Sequence, residues 1–432
     1  MSDPSQAASL SHEPDASAID ANPILVLNSG SSSLKAGLFI PDASANFAGE
    51  RAILTAQASG IGQGGGKLSI HDASGKELHS DNHHELASQE EALTTIAAAL
   101  NENGGLTPTA VGHRVVHGGP QLRQHTLLTL AIFQKLEQSI HFAPLHLPAS
   151  LRLIKQTAKL FPDLPQIVCF DTAFHQTMPA VATRLPVPQE FAAAGVKRYG
   201  FHGLSYESLI GQLRAEPARL PDRIVLAHLG SGASLCAAYR GASVDTTMGM
   251  TPTGGIPMAT RTGDLDPGVL FFMAREARLS VDALEQLVNH KAGLAAISSG
   301  TGDMQQLEKA MQNQISSRNP ATSQPQRAQA DHAALAFAIF ATAIAKSIAA
   351  LTVSLSGLDL LVFAGGIGEH SAPLRAAVLE KLAPFGIRID AAANDHHAPW
   401  IQAPSSKVPI RILSAEEDLV IAAHTRRLLA TV

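Results

Sequence analysis

Cysteine, aromatic residues and charge are all scarce in this chain of 432 residues. The two cysteines, Cys169 and Cys236, each lie in an apolar stretch, so we expect buried free thiols rather than a disulfide framework or a cysteine-based zinc site. No His-Glu-x-x-His sequence accompanies the 19 histidines, and a dedicated transition-metal site is not expected. Charged residues make up 16% and the net charge is −5, which argues against a nucleic-acid partner.

Long apolar runs and a recognisable targeting segment are also missing. Residues 1–22 are rich in Ser, Ala, Asp and Pro and lack the basic and apolar regions of a signal peptide, so we expect a disordered tail and a cytoplasmic protein. No uninterrupted apolar run of about 20 residues indicates a membrane span. The most apolar helical stretch, 333–355, contains Lys346 and is expected to be a buried helix, and the polar stretch 313–330 is expected to be a surface loop. Two prolines predict a rigid loop around His146, at 142–148. The 45% apolar content suffices for two or three globular domains.

The stretch 24–39 combines an apolar strand, a turn with one glycine and four serines, and Lys35 beyond it. Backbone N–H groups, hydroxyls and a cation suit a bound phosphate. The stretch is not a P-loop, because Gly-x-x-x-x-Gly-Lys-Ser/Thr is absent. An ordinary β-hairpin with a serine-rich turn explains the stretch equally well when it is taken alone.

The same pattern returns about 200 residues later, where the apolar strand 223–228 precedes a Gly/Ser turn and the apolar strand 235–239. This echo predicts a duplicated domain. A third apolar strand, 358–364, leads into the glycine cluster 365–369, an arrangement in which backbone can approach a nucleotide. Such a cluster is a weak signal alone.

Polar residues at unusual places are the candidate site residues. Arg114 interrupts an apolar strand and needs a partner there, and an arginine on a half-exposed face is the alternative explanation. Asp171 ends another apolar strand, where site carboxylates are common in α/β folds but turn residues are too. Arg261 is the only cation in the long Gly/Pro/Thr-rich segment 245–268, and loops of that length are usually functional. The three carboxylates 416–418 open the last helix, which helix capping also explains.

Eight segments, in order along nearly the whole chain, resemble motifs of the acetate kinase family: 28–35, 112–119, 143–148, 170–179, 198–203, 228–232, 245–268 and 365–369. The resemblance implies an α/β, duplicated two-domain actin-like (ribonuclease H-like) ATPase fold with the active site in a cleft between domains. We expect domains at 23–175, to which the C-terminal helix returns, and at 176–432. It also implies reversible ATP:acetate phosphotransfer, Mg²⁺ or Mn²⁺, and a homodimer, with no membrane partner.

The resemblance also implies roles for individual residues, grouped here by ligand. The positions that match catalytic residues of the family are Arg114, His146, Asp171, His202 and Arg261, and those that match its acyl pocket are Val116, Leu145, Phe201 and Pro252. The positions that match ATP-binding residues are Lys35, His228, Leu229, Gly230, Ser231, Gly232, Asp303, Met304, Gln305, Gly366, Ile367, Gly368, Glu369 and His370. The positions that match magnesium-associated residues are Asn28 and Glu417. Acetate is already ionised near pH 7, so its attack on the phosphate needs neutralisation of negative charge rather than a strong base. Two arginines can supply that neutralisation.

Several positions depart from the family pattern. Ser231 stands where the phosphate loop usually has Asn, and Tyr206 stands where the motif around His202 has a second histidine. Gln305 replaces a common Arg in the adenine region, which puts strict adenosine specificity in doubt. Three alternatives remain: a propionate or longer-chain acyl kinase, a nucleotide-responsive binding protein without chemistry, and a sugar kinase. The last would need a general base for a neutral hydroxyl, and the paired arginines argue against it.

Overall fold

The computed structural model describes residues 22–30, 33–44, 47–62, 65–81, 86–102, 107–316 and 324–431. The expected disordered tail, 1–22, lies outside these residues except for Asn22. The described chain forms two β-sheets that helices cover, as the alternation of apolar strands and helical segments predicts.

The strands divide between an eight-stranded and a five-stranded sheet. The first sheet contains β1 (Ile24–Ser29), β2 (Ser33–Pro41), β3 (Glu50–Ser59), β4 (Lys67–Asp72), β5 (Glu77–Asp81), β6 (Ala110–Val115), β7 (Thr126–Leu127) and β8 (Gln166–Phe170), in the order β5-β4-β3-β2-β1-β6-β8-β7. The second contains β9 (Arg223–Leu229), β10 (Ala233–Tyr239), β11 (Ala242–Thr246), β12 (Leu360–Ala364) and β13 (Ile410–Ile412), in the order β11-β10-β9-β12-β13.

Five neighbouring strands have the same arrangement in both sheets. In the first, β3-β2-β1 are antiparallel and β1-β6-β8 are parallel. In the second, β11-β10-β9 are antiparallel and β9-β12-β13 are parallel. The predicted duplicated α/β fold is therefore confirmed. The predicted domain boundary at 175/176 falls in the connection between the two sheets and stays a prediction.

The helices are α1 (Gln89–Glu102), α2 (Leu130–Gln138), α3 (Leu147–Leu160), α4 (Ala180–Thr183), α5 (Gln189–Ala193), α6 (Gly203–Ala215), α7 (Pro267–Glu276), α8 (Val281–His290), α9 (Gly293–Ile297), α10 (Met304–Ser316), α11 (Gln324–Ser354), α12 (Gly365–His370), α13 (Ala372–Leu382), α14 (Ala391–Asp395) and α15 (Glu417–Leu429). The last helix packs on the first sheet, where Val420, Ile421 and Ala422 join a buried cluster with Ile24 and Val26. The C-terminal helix therefore returns from the second sheet to the first.

The long helix α11 is apolar because it is a core helix. By length and composition its segment Arg327–Ser354 could cross a membrane. Phe340, Ile344 and Ile348, however, are completely buried in the cluster that also holds Val225 of the second sheet. Packing against that sheet accounts for the apolar character, as the sequence predicts.

Three predicted element boundaries are wrong. The loop predicted around His146 ends there, because α3 begins at Leu147 with Pro148 in its first turn, a position that proline favours. The glycine cluster after β12 is the short helix α12 rather than an open turn. The polar stretch 313–330, predicted as a surface loop, is helical at 313–316 and 324–330, because Gln, Arg and Ala are good helix formers.

Candidate active site

One cleft of about 680 Å³ collects most of the predicted site residues. Its walls come from the ends of β1, β6 and β8 on one side and of β9 and β12 on the other, the sheet edges where α/β folds bind ligands. The cleft is lined by Asn28, Lys35, Arg114, Val116, His146, Asp171, Phe201, His202, His228, Gly230, Ser231, Gly232, Pro252, Arg261, Gly366, Glu369 and Glu417 among the predicted residues.

Arg114 and Asp171 form a bidentate ion pair in this cleft. Arg114 Nε donates to Asp171 Oδ1 at 2.9 Å, and Nη2 donates to Oδ2 at 2.7 Å. The remaining Nη1 donates to Asn28 Oδ1 at 3.1 Å and lies 3.8 Å from Glu417 Oε2. Burial opposes the charge of Arg114, but the carboxylates of Asp171 and Glu417 raise its pKa above the ordinary value. Asp171 thus orients a guanidinium that stays charged.

Arg261 is the second guanidinium and has a different environment. Its Nη1 donates to the Pro252 carbonyl at 3.2 Å, and no carboxylate pairs with it within the described chain. Burial and the nearby Arg114 lower its pKa from the ordinary value of 12.5, which leaves it charged at neutral pH. Two half-buried like charges that face one cleft, one of them without a carboxylate partner, favour an anionic ligand between them.

The three cleft histidines are neutral at pH 7. Burial and the two arginines lower the pKa of His146 to about 4. Burial also lowers the pKa of His228 and, with His228 and both arginines, holds the pKa of His202 well below 6.5. The rings of His202 and His228 lie 4.5 Å apart, and each Nδ1 bonds a buried serine hydroxyl. They can therefore act as hydrogen-bond partners but not as cations.

Carboxylates crowd the cleft where α15 begins. Asn28 Nδ2 donates to Glu417 Oε2 at 3.1 Å and to Asp418 Oδ1 at 2.8 Å, and Glu416 lines the same wall. Burial and mutual repulsion raise the pKa values of Glu416 and Asp418. A divalent cation would relieve this repulsion, and carboxylate oxygens are the donors that Mg²⁺ prefers. The Asn28 oxygen already accepts from Arg114, so the carboxylates are the better direct donors.

The turn between β9 and β10 forms the floor of the cleft beside β12. Gly365 follows β12 with φ of +75°, and a Cβ there would lie 2.7 Å from the Leu229 carbonyl. Only glycine allows this approach of the two turns. Lys35, exposed on β2 opposite Asn28 of β1, supplies a cation on the facing wall.

A family model named acetokinase family matches residues 23–423. The chain belongs to the acetokinase family. An acetate kinase of Rhodopseudomonas palustris is 38% identical over 412 residues, which cover 94% of this chain and 98% of that protein. The structure of a propionate kinase from Francisella tularensis aligns with a TM-score of 0.82 and 32% identity, covering 94% of this chain and 100% of that one. Porphyromonas gingivalis acetate kinase aligns with 0.78 and 31%, covering 95% and 100%.

Family membership makes the chain a kinase that uses ATP. The likeness to these kinases confirms the predicted actin-like ATPase fold with its cleft between two domains. Whether each cleft residue has its predicted role stays a prediction, to which the geometry above adds support.

A second cavity, also of about 680 Å³, continues from the first past the phosphate-loop residues. Both are lined by Gly230, Ser231 and Gly366, while Asp303, Met304, Gln305, Ile367 and His370 line only the second. The predicted nucleotide residues are thus divided between two connected spaces. Three predicted residues, Leu145, Leu229 and Gly368, line neither, and Leu229 is completely buried among the core residues of the second sheet.

The sequence prediction missed several cleft residues. Glu416 and Asp418 carry a signal, three adjacent carboxylates, that helix capping explained equally well. Ser205 and Ser234, which are completely buried behind the cleft histidines, gave no signal, because a serine next to a histidine ring becomes recognisable only when β9, β10 and α6 are in place.

A second polar cluster lies outside the cleft, where His125, Glu207 and His424 are the one group of three possible metal ligands among the described residues. The His125 Nδ1 accepts from the Phe170 N–H at 3.0 Å, and the His424 Nδ1 accepts from Arg427 at 2.7 Å. Each ring therefore keeps its proton on Nε2, and His424 Nε2 donates to Glu207 at 2.6 Å. A metal on Nε2 would displace these protons. The cluster is therefore a hydrogen-bond network that joins α6 to α15 rather than a metal site.

Proposed function

We propose that the chain transfers the γ-phosphoryl group of ATP to acetate, giving acetyl phosphate and ADP, reversibly and in line. The observation that carries this proposal is the pair of half-buried guanidiniums, Arg114 and Arg261, in one cleft beside the turns that follow β9 and β12. An anion that attacks a phosphate needs neutralised charge and alignment, and the pair supplies both. No step requires a general base, because acetate is already ionised.

Direct transfer fits the bonding of Asp171. Both of its carboxylate oxygens accept from Arg114, and the side chain is 2% exposed, so it holds a charge partner rather than attacking phosphorus. His202, as a neutral ring, would donate a hydrogen bond to a phosphoryl oxygen as charge develops there. Glu417 and Asp418, with Asn28 behind them, would hold Mg²⁺, which when bound neutralises charge on the phosphates.

The proposed acceptor pocket has an apolar wall. Val116, Phe201 and Pro252 line the cleft beside the arginines, whereas the predicted Leu145 does not reach it. A propionate-preferring kinase is the second candidate, favoured by the likeness to the Francisella tularensis propionate kinase. One methylene in such a pocket changes the transition-state free energy by about 1–3 kcal/mol, so relative kcat/KM for acetate and propionate decides between them.

The experiment that tests this proposal traps acyl phosphate. Purified chain with ATP, Mg²⁺ and acetate should form acetyl hydroxamate when hydroxylamine is added, and omission of acetate or Mg²⁺ should abolish it. Folded protein that binds ATP but yields no hydroxamate from acetate, propionate or butyrate would instead identify a nucleotide-responsive binding protein. A nucleoside triphosphate series in the same assay tests whether Gln305 relaxes adenosine specificity.

A homodimer is the oligomeric state that we propose, and one helix supports it. The helix α7 has no buried residue, and Phe271 and Phe272 on it are 58% and 65% exposed. Leu265 and Val281 at its two flanks are also exposed. Large apolar side chains in one region usually mark an interface. The cytoplasmic location remains a prediction from composition.

A further inference from the structure

A chain of three buried hydrogen-bonding groups leads from α6 to the catalytic cleft. Tyr206 Oη lies 2.5 Å from Ser234 Oγ, and Ser234 Oγ lies 2.9 Å from His202 Nδ1. Tyr206 and Ser234 are completely buried, and His202 is 8% exposed. Solvent therefore does not compete for these bonds, and the three groups must satisfy one another.

The direction of the protons along this chain follows from the phenol. Among the described residues, Ser234 is the hydrogen-bond partner of the phenol oxygen. The phenol proton then goes to Ser234, and the Ser234 proton goes to His202 Nδ1. In the opposite direction the phenol proton would have no acceptor among the described residues.

A defined tautomer of His202 results. With Nδ1 accepting, the proton of the neutral ring is on Nε2. That nitrogen faces the phosphate turn: a Cβ at Gly232 would lie 3.4 Å from both His202 Nε2 and Arg261 Nη1. The Nε2–H group and the unpaired guanidinium thus converge on one place in the cleft. His202 also has a backbone φ of +58°, a conformation that is rare for residues other than glycine. A buried hydrogen-bond partner fixes the orientation of its ring at this unusual position.

We propose that Tyr206 and Ser234 are positioning residues that hold His202 as the neutral Nε2–H tautomer, ready to donate to the transferring phosphoryl group. The hydrogen bond from His202 to the phosphoryl group depends on the phosphotransfer proposed above, whereas the tautomer of His202 does not depend on it. Tyr206 replaces the histidine of the family motif. An imidazole there could accept or donate, whereas the phenol in this position donates to Ser234, which fixes the direction of the whole chain.

The tautomer is tested first, without any assay of activity. Long-range ¹H–¹⁵N correlation spectra of ¹⁵N-histidine-labelled protein distinguish protonated from unprotonated ring nitrogens, and loss of signals in His202→Gln assigns them. We expect Nε2 protonated and Nδ1 unprotonated in the wild type. Tyr206→Phe should give a mixture of both tautomers for His202. Tyr199→Phe is the matched control, because it removes a buried hydroxyl that bonds only the Gly195 carbonyl.

Turnover is tested second. Tyr206→Phe should lower kcat on the order of tenfold with little change in KM for ATP or acetate, because the lost interaction strengthens only in the transition state. Ser234→Ala should lower kcat at least as much, while Ser234→Thr, which keeps the hydroxyl, should restore both kcat and the spectrum. Tyr199→Phe should leave kcat unchanged.

Two spectroscopic results overturn the proposal: an Nδ1–H tautomer in the wild type, or an unchanged His202 spectrum in both Tyr206→Phe and Ser234→Ala. If Tyr206→Phe does not fold, the Ser234→Ala and Ser234→Thr pair decides. An equal loss of kcat in Ser234→Ala and Ser234→Thr would mean a packing role and would also overturn it. A wild type with the predicted tautomer but no phosphotransfer would contradict the proposed function alone.

Discussion

At the scale of single residues, the two arginines have the same predicted task but different roles in stability. Arg114 forms an ion pair with the buried carboxylate of Asp171. Among the described residues, Arg261 donates hydrogen bonds only to the Pro252 carbonyl and the Met258 sulfur. The sequence could identify both as candidates, because an arginine in an apolar strand and a lone cation in a glycine-rich loop are unusual. It could not show the difference between them, which depends on Asp171 reaching Arg114 from the neighbouring strand.

This difference gives a prediction for alanine variants. Arg114→Ala and Arg261→Ala should each lower kcat by about 10²–10³, the typical effect of removing one preorganised transition-state contact. Only Arg114→Ala should also destabilise the fold, by about 3–5 kcal/mol, because it leaves the carboxylate of Asp171 buried and unpaired. Hydroxamate kinetics and thermal unfolding measure the two effects.

The exposed Arg152 provides the control for both variants, since its alanine variant should behave like the wild type. Near-wild-type kcat in either cleft variant would remove that arginine from the mechanism. Equal loss of melting temperature in the two would contradict the assignment of Asp171 as the partner of Arg114 alone.

At the scale of elements, the apolar strands were predictable and the boundaries of glycine-containing helices were not. Gln166–Phe170 is a strand as predicted, because five consecutive residues are buried and the flanking residues are turn formers. Gly365–His370 is helical although glycine disfavours helices, and Gly365 at its start has φ of +75° and approaches Leu229 closely. Tertiary contact overrides local propensity there.

The strand β6 carries a histidine that should make folding depend on pH. His113 is completely buried and bonds Gln166 Oε1 at 2.8 Å, and burial lowers its pKa from 6.5 to about 4. The unfolded chain binds a proton at a higher pH than the folded chain does. This contribution is therefore complete above about pH 6.5 and is lost as the pH falls toward 4, up to about 3 kcal/mol.

His113→Gln should consequently flatten the fall of the melting temperature between pH 6.5 and 4, relative to the wild type. His117 and His175, whose pKa values are also about 4, keep part of the slope. His332→Gln, at an exposed position on α11, should retain the full wild-type slope. Identical slopes in His113→Gln and the wild type would show that His113 binds its proton equally in both states.

At the scale of the whole molecule, the repeated five-strand order explains why the site lies where it does. Each copy brings a turn after its first strand to the cleft, Ser29–Gly30 in one and Gly230–Gly232 in the other. The sequence revealed this echo as a pattern of strand, Gly/Ser turn and strand. It could not reveal the exposed apolar surface of α7, because exposure of that helix is visible only after folding.

The surface formed by α7 leads to a prediction about assembly. Phe272→Asp places a charge where an apolar contact is proposed and should convert a dimer to a monomer, which light scattering after size-exclusion chromatography measures directly. Phe385→Asp is the matched control, because Phe385 is 64% exposed but lies on a different element, a short 3₁₀ helix after α13. A dimer that survives Phe272→Asp, or a wild type that is monomeric at micromolar concentration, would exclude α7 as the interface.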